Sequence, residues 1–277
     1  MALRINTNIA ALNAHRQLTE TDNRLRVSME RLSSGYRINR AMDDVAGLSI
    51  ANKFRLEVRA MRAAQQNVSQ ATAVLQVAEG GTQKIESIIE RLKELAISAA
   101  SDNTDSDGRS RLNAEANALI QEIDQIAKDT KYSGTSLICS NLNLTFQVGS
   151  GGIAAEDQIT VTTTAGLLSN ALGINSIDLR SSGTATTALG NIDSALTSVN
   201  VITGELGAAA SRLEFAAGNL AIAVENLDAS HSTIREVDMA FEMTNLTKNQ
   251  ILLQAGTAML AQANMMPQSV LALLGSR

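Results

Sequence analysis

From Ile192 to Phe241 an apolar side chain returns at every seventh position, through Val199, Leu206, Leu213, Leu220, Leu227 and Ile234. Seven residues are close to two turns of α-helix, so the stripe stays on one side of a long helix and requires another helix to cover it. A register held this long restricts the chain to extended helices packed along shared seams. Gly204, Gly207 and Gly218 lower the intrinsic stability of this stretch, so packing must hold it.

The first half of the chain has the same character. Residues 7–33 place Leu18, Leu25 and Leu32 seven apart, with Ala11, Ala14 and Met29 on nearby turns, and Ser33-Ser34-Gly35 closes the helix. A longer helix is expected over 44–100. Phe54, Met61, Val68, Leu75, Thr82, Ile89 and Ala96 share one heptad position there, and Ala64, Ala71, Ala78, Ile85 and Leu92 the companion position. Asp43 and Asp44 precede it, where carboxylates suit the positive end of the helix dipole. A turn over Ser101–Gly108 leads to a return helix with Leu112, Ala116, Leu119, Ile123 and Ile126 at alternating spacings of four and three. A last helix carries Leu252, Met259, Met266 and Leu273, again seven apart.

Only the middle changes period. Leu142, Leu144, Phe146 and Val148 alternate with polar residues, as do Ile159, Val161 and Thr163, which predicts a small β-hairpin. The Ser/Thr/Gly-rich stretch that follows, to Thr187, reads as weakly specified. The fold class is therefore mainly α: an elongated antiparallel coiled coil or helical bundle with a small β-hairpin region. A helix over 44–100 alone would run roughly 80 Å, far beyond the width of a compact domain of this length. Its seams need long partner helices, from the other end of the chain and from neighbouring subunits.

The residue types point away from catalysis. Among 277 residues there are no Trp, two Tyr, four Phe, one Pro and two His. These are the groups that usually build ligand pockets and acid–base sites. His15 and His231 have no ligand-type partner on the same helix face, and the Gly-rich run at Gly149 lacks the lysine of a phosphate loop. No catalytic, cofactor or metal residues are assigned, and the single Cys139 reads as a small buried apolar side chain. A net charge of -5 with scattered Lys and Arg offers no surface for nucleic acid. The amino-terminal residues lack the basic-then-apolar pattern of a secretory signal, which leaves a cytosolic protein or one exported another way. From Asn249 to Ser276 no residue is charged, yet Gln250, Gln254, Gln262, Asn264 and Gln268 interrupt the run, so no membrane span is expected.

Both ends of the chain resemble bacterial flagellin. Ile5-Asn-Thr-Asn-Ile9, Arg31-Leu-Ser-Ser-Gly-Tyr-Arg-Ile-Asn39 and Asp43-Asp-Val-Ala-Gly-Leu-Ser-Ile-Ala-Asn52 follow that family's amino-terminal signature in order. Gln250-Ile-Leu-Leu-Gln-Ala-Gly-Thr-Ala-Met-Leu-Ala-Gln-Ala-Asn264, followed by Pro267-Gln-Ser-Val-Leu271, resembles the carboxy-terminal one. The resemblance implies two domains, each built from both ends of the chain. Residues 1–43 with 231–277 would form an inner-tube coiled coil, and residues 44–230 an outer-tube helical domain with the hairpin and no inserted surface domains.

The same resemblance implies a non-enzymatic subunit that polymerises with itself into a flagellar filament for swimming motility, placed outside the cell. It also implies export, unfolded, through the flagellar secretion channel with a chaperone, and contact with flagellar cap and hook-filament junction proteins. An innate immune flagellin receptor would recognise Arg91, Leu95 and Glu115. A hook-filament junction protein and a cytosolic coiled-coil scaffold are the alternatives. The terminal pieces, roughly residues 1–40 and 235–277, are expected to order only on assembly.

Overall fold

A computed structural model describes residues 8–275 in backbone, and their side chains except those of Ala154 and residues 266–275. Six helices and four short strands follow one another as α1 (Ile9–Ser34), α2 (Val45–Ala100), α3 (Ser106–Asp129), β1 (Lys131–Tyr132), β2 (Thr135–Ser136), β3 (Asn143–Gln147), α4 (Ala154–Asp157), β4 (Gln158–Thr162), α5 (Ser182–Arg235) and α6 (Met239–Gly275). The chain is mainly α-helical, as its periodicity requires. The heptad register from Ile192 to Phe241 does not run in one helix, because α5 ends at Arg235 and Phe241 lies on α6, exposed. Asp238 starts the new helix, its carboxylate accepting from the backbone N–H groups of Ala240 and Phe241 at 2.9 and 3.0 Å.

Two compact units divide the chain: residues 57–225 form one, and residues 1–56 with 226–277 the other. The divisions fall inside α2 and α5, not at the helix break before Val45 or near His231.

The central unit, 57–225, has a continuous apolar core. Val68, Ala71, Leu75, Ala78, Ile85, Ile89 and Leu92 of α2 meet Ala116, Ile120 and Ile123 of α3 and Ile192, Val199, Leu206, Leu213 and Leu220 of α5 in one buried cluster. Buried Thr82 satisfies its hydroxyl by donating to the Ala78 carbonyl at 2.9 Å. On α3 the buried edge is Asn113, Ala116, Ile120, Ile123 and Ala127, while Leu112, Leu119 and Ile126 flank it half-buried.

The strands pair in two hairpins. β3 and β4 are antiparallel with Leu144 opposite Val161 and Phe146 opposite Ile159, in the region where alternation predicts them. β1 and β2 form a second hairpin whose turn places Ser133 and Gly134 at φ 49° and 85°, a conformation favoured in two-residue hairpins. Its one sequence cue is the Ser-Gly pair.

The stretch after β4 is not loosely specified. Leu167, Leu172, Ile174, Ile177 and Leu179 are buried in the core although it has no regular ladder. Side chains of α3 supply some of its hydrogen bonds: Asp124 accepts from the N–H and hydroxyl of Ser169 at 2.8 and 3.0 Å, and Asn113 Oδ1 accepts from the Leu179 N–H at 3.0 Å, while the Leu167 and Ile174 N–H groups donate to the Ile138 and Ser169 carbonyls. Cys139 is half-buried next to this segment, not fully enclosed.

The terminal unit is built differently. In α1 the covered positions include Ala11, Ala14, Leu18, Thr21, Leu25, Ser28 and Leu32, a regular three-four seam that contains the expected leucines. It packs against α6 through Glu242, Leu246, Asn249, Leu253, Gly256, Leu260 and Ala263. Leu252 and Met259, expected in that seam, are 44% and 65% exposed on another side of the helix. From Asn249 on, the helix is uncharged and carries two apolar stripes at heptad spacing, and periodicity does not say which one a partner takes. Met266 and Leu273 lie outside the residues described in side chain.

Candidate assembly surfaces

The two units differ most in what they leave uncovered. Among the described residues, the buried apolar side chains other than Ile38 and Ala51 belong to the central unit. Most of the exposed large apolar ones belong to the terminal unit: Ile9, Leu12, Val27 and Met29 on α1, and Met243, Ile251, Leu252, Met259 and Met265 on α6. A pair of helices this apolar on its outer sides, with polar Ser28, Glu242 and Asn249 buried between them, has an interaction surface in place of a core.

The quoted motif Arg31–Asn39 is the joint of this unit. Gly35 takes the left-handed conformation at φ 75° and its N–H donates to the Arg31 carbonyl at 2.8 Å, ending α1. Tyr36 then pairs as a β-bridge with Glu236, and the Arg37 guanidinium donates to the Ile234 carbonyl at 2.7 Å. Arg235 stacks its guanidinium 4.3 Å from the centre of the Tyr36 ring. Asn39 Nδ2 donates back to Ser34 Oγ at 2.8 Å.

The two aspartates after the joint have separate tasks. Asp44 caps α2, accepting from the Gly47 N–H at 2.8 Å. Asp43 instead accepts from the backbone N–H groups of Arg40 and Asn39 at 2.9 and 3.1 Å, closing the turn between α1 and α2. The Arg40 amide, then the Asn39 amide and the nearby Arg31 and Arg40 charges, hold its carboxyl below the ordinary value near 3.8.

On the central unit Arg91 is exposed and binds Glu94 at 2.8 Å and Glu115 at 2.9 Å, linking α2 to α3. Those two carboxylates push its pKa up. Leu95 does not join them in an exposed patch: it is 3% exposed, facing the core one turn along α2. Its spacing from Arg91 looks like a shared face, yet position 95 lies on the inner edge of the helix.

The expected seam residues sort by unit. Val68, Leu75, Ile192, Val199, Leu206, Leu213 and Leu220 are buried in the central core, and Leu18, Leu25, Leu32, Phe54, Met61 and Leu227 are half-buried. Periodicity alone did not find Gly256 or the buried Glu242, which lies 3.8 Å from Arg31. The remaining cue was that Glu242 is an acid in the first turn of α6. Among the described residues no group of three or more His, Cys, Asp or Glu is placed to hold a metal ion. No described helix is long and apolar enough to cross a membrane.

The long-helix fold and its uncovered apolar faces define a structural subunit with surfaces for further copies of helical protein. Comparison with known proteins names the family: residues 5–141 match the bacterial flagellin N-terminal helical region and residues 189–274 the bacterial flagellin C-terminal helical region, so this chain belongs to the flagellins. A flagellin of Halalkalibacterium halodurans is 39% identical over 273 residues, covering 98% of this chain and 99% of that protein. The flagellin of Bacillus subtilis is 36% identical, covering 98% and 100%. The flagellar filament 33 kDa core protein of Treponema phagedenis is 36% identical, covering 98% and 99%. A crystal structure of Bacillus cereus flagellin aligns with a TM-score of 0.48 at 23% identity, over 56% of this chain and 88% of that one.

Proposed function

We propose that this chain is a structural subunit that polymerises with itself into the bacterial flagellar filament. The observation that carries this reading is the terminal unit, two long helices joined along one thin, partly polar seam with their other apolar sides uncovered. Ordering each residue costs about 1–2 kcal/mol of backbone entropy, which one seam does not offset. Neighbouring copies supply the missing cover. In this reading the terminal unit lines an inner tube and the central unit, with its own core, forms the surrounding one.

Export precedes assembly. A chain without disulfides and with a terminal unit that orders late suits passage, unfolded and chaperone-bound, through the flagellar secretion channel. At either end of the filament the subunit meets cap and hook-filament junction proteins. The exposed Arg91–Glu115 pair is the part of the proposed innate-receptor patch that a partner can touch. Purified chain seeded with filament fragments and viewed by electron microscopy tests the central reading: long tubes support it, and a chain that stays monomeric at every concentration and salt condition contradicts it.

A further inference from the structure

α5 carries two heptad stripes, and the fold uses one. The inner stripe, Ile192 to Leu220, fills the central core. Two positions further along, Val201, Gly204, Ala208, Phe215, Gly218 and Ile222 keep the same three-four spacing, with Ser211 completing it, and every one is exposed. Phe215 is 80% and Ile222 61% exposed. Positions two apart on a helix lie about 200° apart, so this stripe faces away from the chain's own core.

The glycines sharpen the point. A Cβ at Gly204 or Gly218 would meet nothing within 4 Å. Alanine fits both sites and suits a helix better by about 1 kcal/mol. Within the isolated chain these glycines only weaken α5. Beside two large exposed side chains they make hollows that let another helix approach closely.

We propose that this face of α5 is an intersubunit seam, occupied in the filament by the basic stretch of α2 from a second copy of the chain. Charge selects that occupant. One edge of the stripe carries Glu214 and Glu225, eleven positions and so about three turns apart, neither with an ion-pair partner among the described residues. Lys53, Arg55, Arg59 and Arg62 form the densest basic run in the sequence. An open helical polymer requires two different surfaces meeting head to tail, which excludes α5 pairing with its own copy as the repeating contact. The inference rests on the filament reading and names one of its interfaces.

The test uses the full chain in seeded polymerisation, with circular dichroism and melting of the monomer alongside. Phe215→Glu raises the critical concentration by about tenfold or more, as expected for an anchor at an interface centre, and leaves monomer melting unchanged. Gly218→Ala raises monomer melting yet weakens polymerisation, a split that a purely structural glycine does not give. Glu214→Arg and Arg59→Glu each weaken assembly severalfold, and the two together restore it. Parent and Phe215→Glu chains polymerising alike would overturn the seam while leaving the filament reading intact. Loss in Phe215→Glu without rescue in the charge-swapped pair would overturn α2 as the occupant. A parent chain that never polymerises overturns both readings.

Discussion

Gly256 of α6 lies so close to Leu18 of α1 that a Cβ at position 256 would come within 2.8 Å of the leucine Cδ1. This contact sets the approach of the two terminal helices. The obstacle is the end of a flexible side chain, which turns aside for a methyl group at modest cost. A gain of about 1 kcal/mol in helix propensity offsets it. Gly256→Ala is therefore expected to form filaments that melt within a few degrees of the parent. Gly256→Ile adds bulk that a rotated Leu18 does not accommodate and is expected to lower filament melting sharply. Thermal depolymerisation followed by light scattering checks both.

The central unit stands on its own core, so damage to it shows in the monomer. Leu75 and Leu213 are buried where α2 and α5 contribute to one cluster. Leu213→Asp or Leu75→Asp places a carboxylate there without a partner, at a cost of about 3 kcal/mol or more. Loss of cooperative melting in the soluble monomer is the expected outcome, with no outer tube formed. Normal melting and motile filaments from either variant would contradict the register.

The heptads made the helices and most of this core legible, because Val68, Leu75, Ile192 and Leu213 each stand on the stripe that the central core buries. The same logic failed on α6. The uncharged stretch from Asn249 offers Leu252 and Met259 the same periodicity as Leu253 and Leu260, and only packing against α1 shows which stripe is covered. Residues 163–181 were illegible for another reason. Part of their order comes from Asp124 and Asn113 on a separate helix, and such pairing leaves no local pattern. Leu95 was grouped with Arg91 by the family resemblance alone, and its burial in the core was not read from the heptads.

Asp43 gives the turn between α1 and α2 a dependence on acid. Its carboxyl is held below its ordinary value, so the stabilisation is present above a pH near 3.8 and is lost as the pH falls through the depressed folded value. Protection of the Asn39 and Arg40 amides in assembled filaments, taken relative to the intrinsic exchange rate at each pH, is expected to fall only in that acid window. In Asp43→Asn the slow exchange and its pH step are both expected to be weakened. An unchanged profile would remove the charge from the explanation.

Receptor recognition separates the three residues that the family resemblance groups together. Arg91→Ala removes an exposed pair with Glu115 and is expected to leave monomer melting nearly unchanged while weakening receptor activation by monomer. Leu95→Ala empties core volume at a cost of about 2–5 kcal/mol, so its effect should track unfolding. Unchanged activation by a folded Arg91→Ala chain would take this surface out of the interface.

Amide hydrogen exchange on the same chain before and after polymerisation tests the proposed function most directly. If neighbours complete the terminal unit, α1 and the described part of α6 exchange rapidly in dilute monomer and become protected by several orders of magnitude in filaments. The core helices of the central unit are slow in both states. Full protection of α1 and α6 in the dilute monomer, unchanged on assembly, would contradict the view that these helices are ordered by the filament they build.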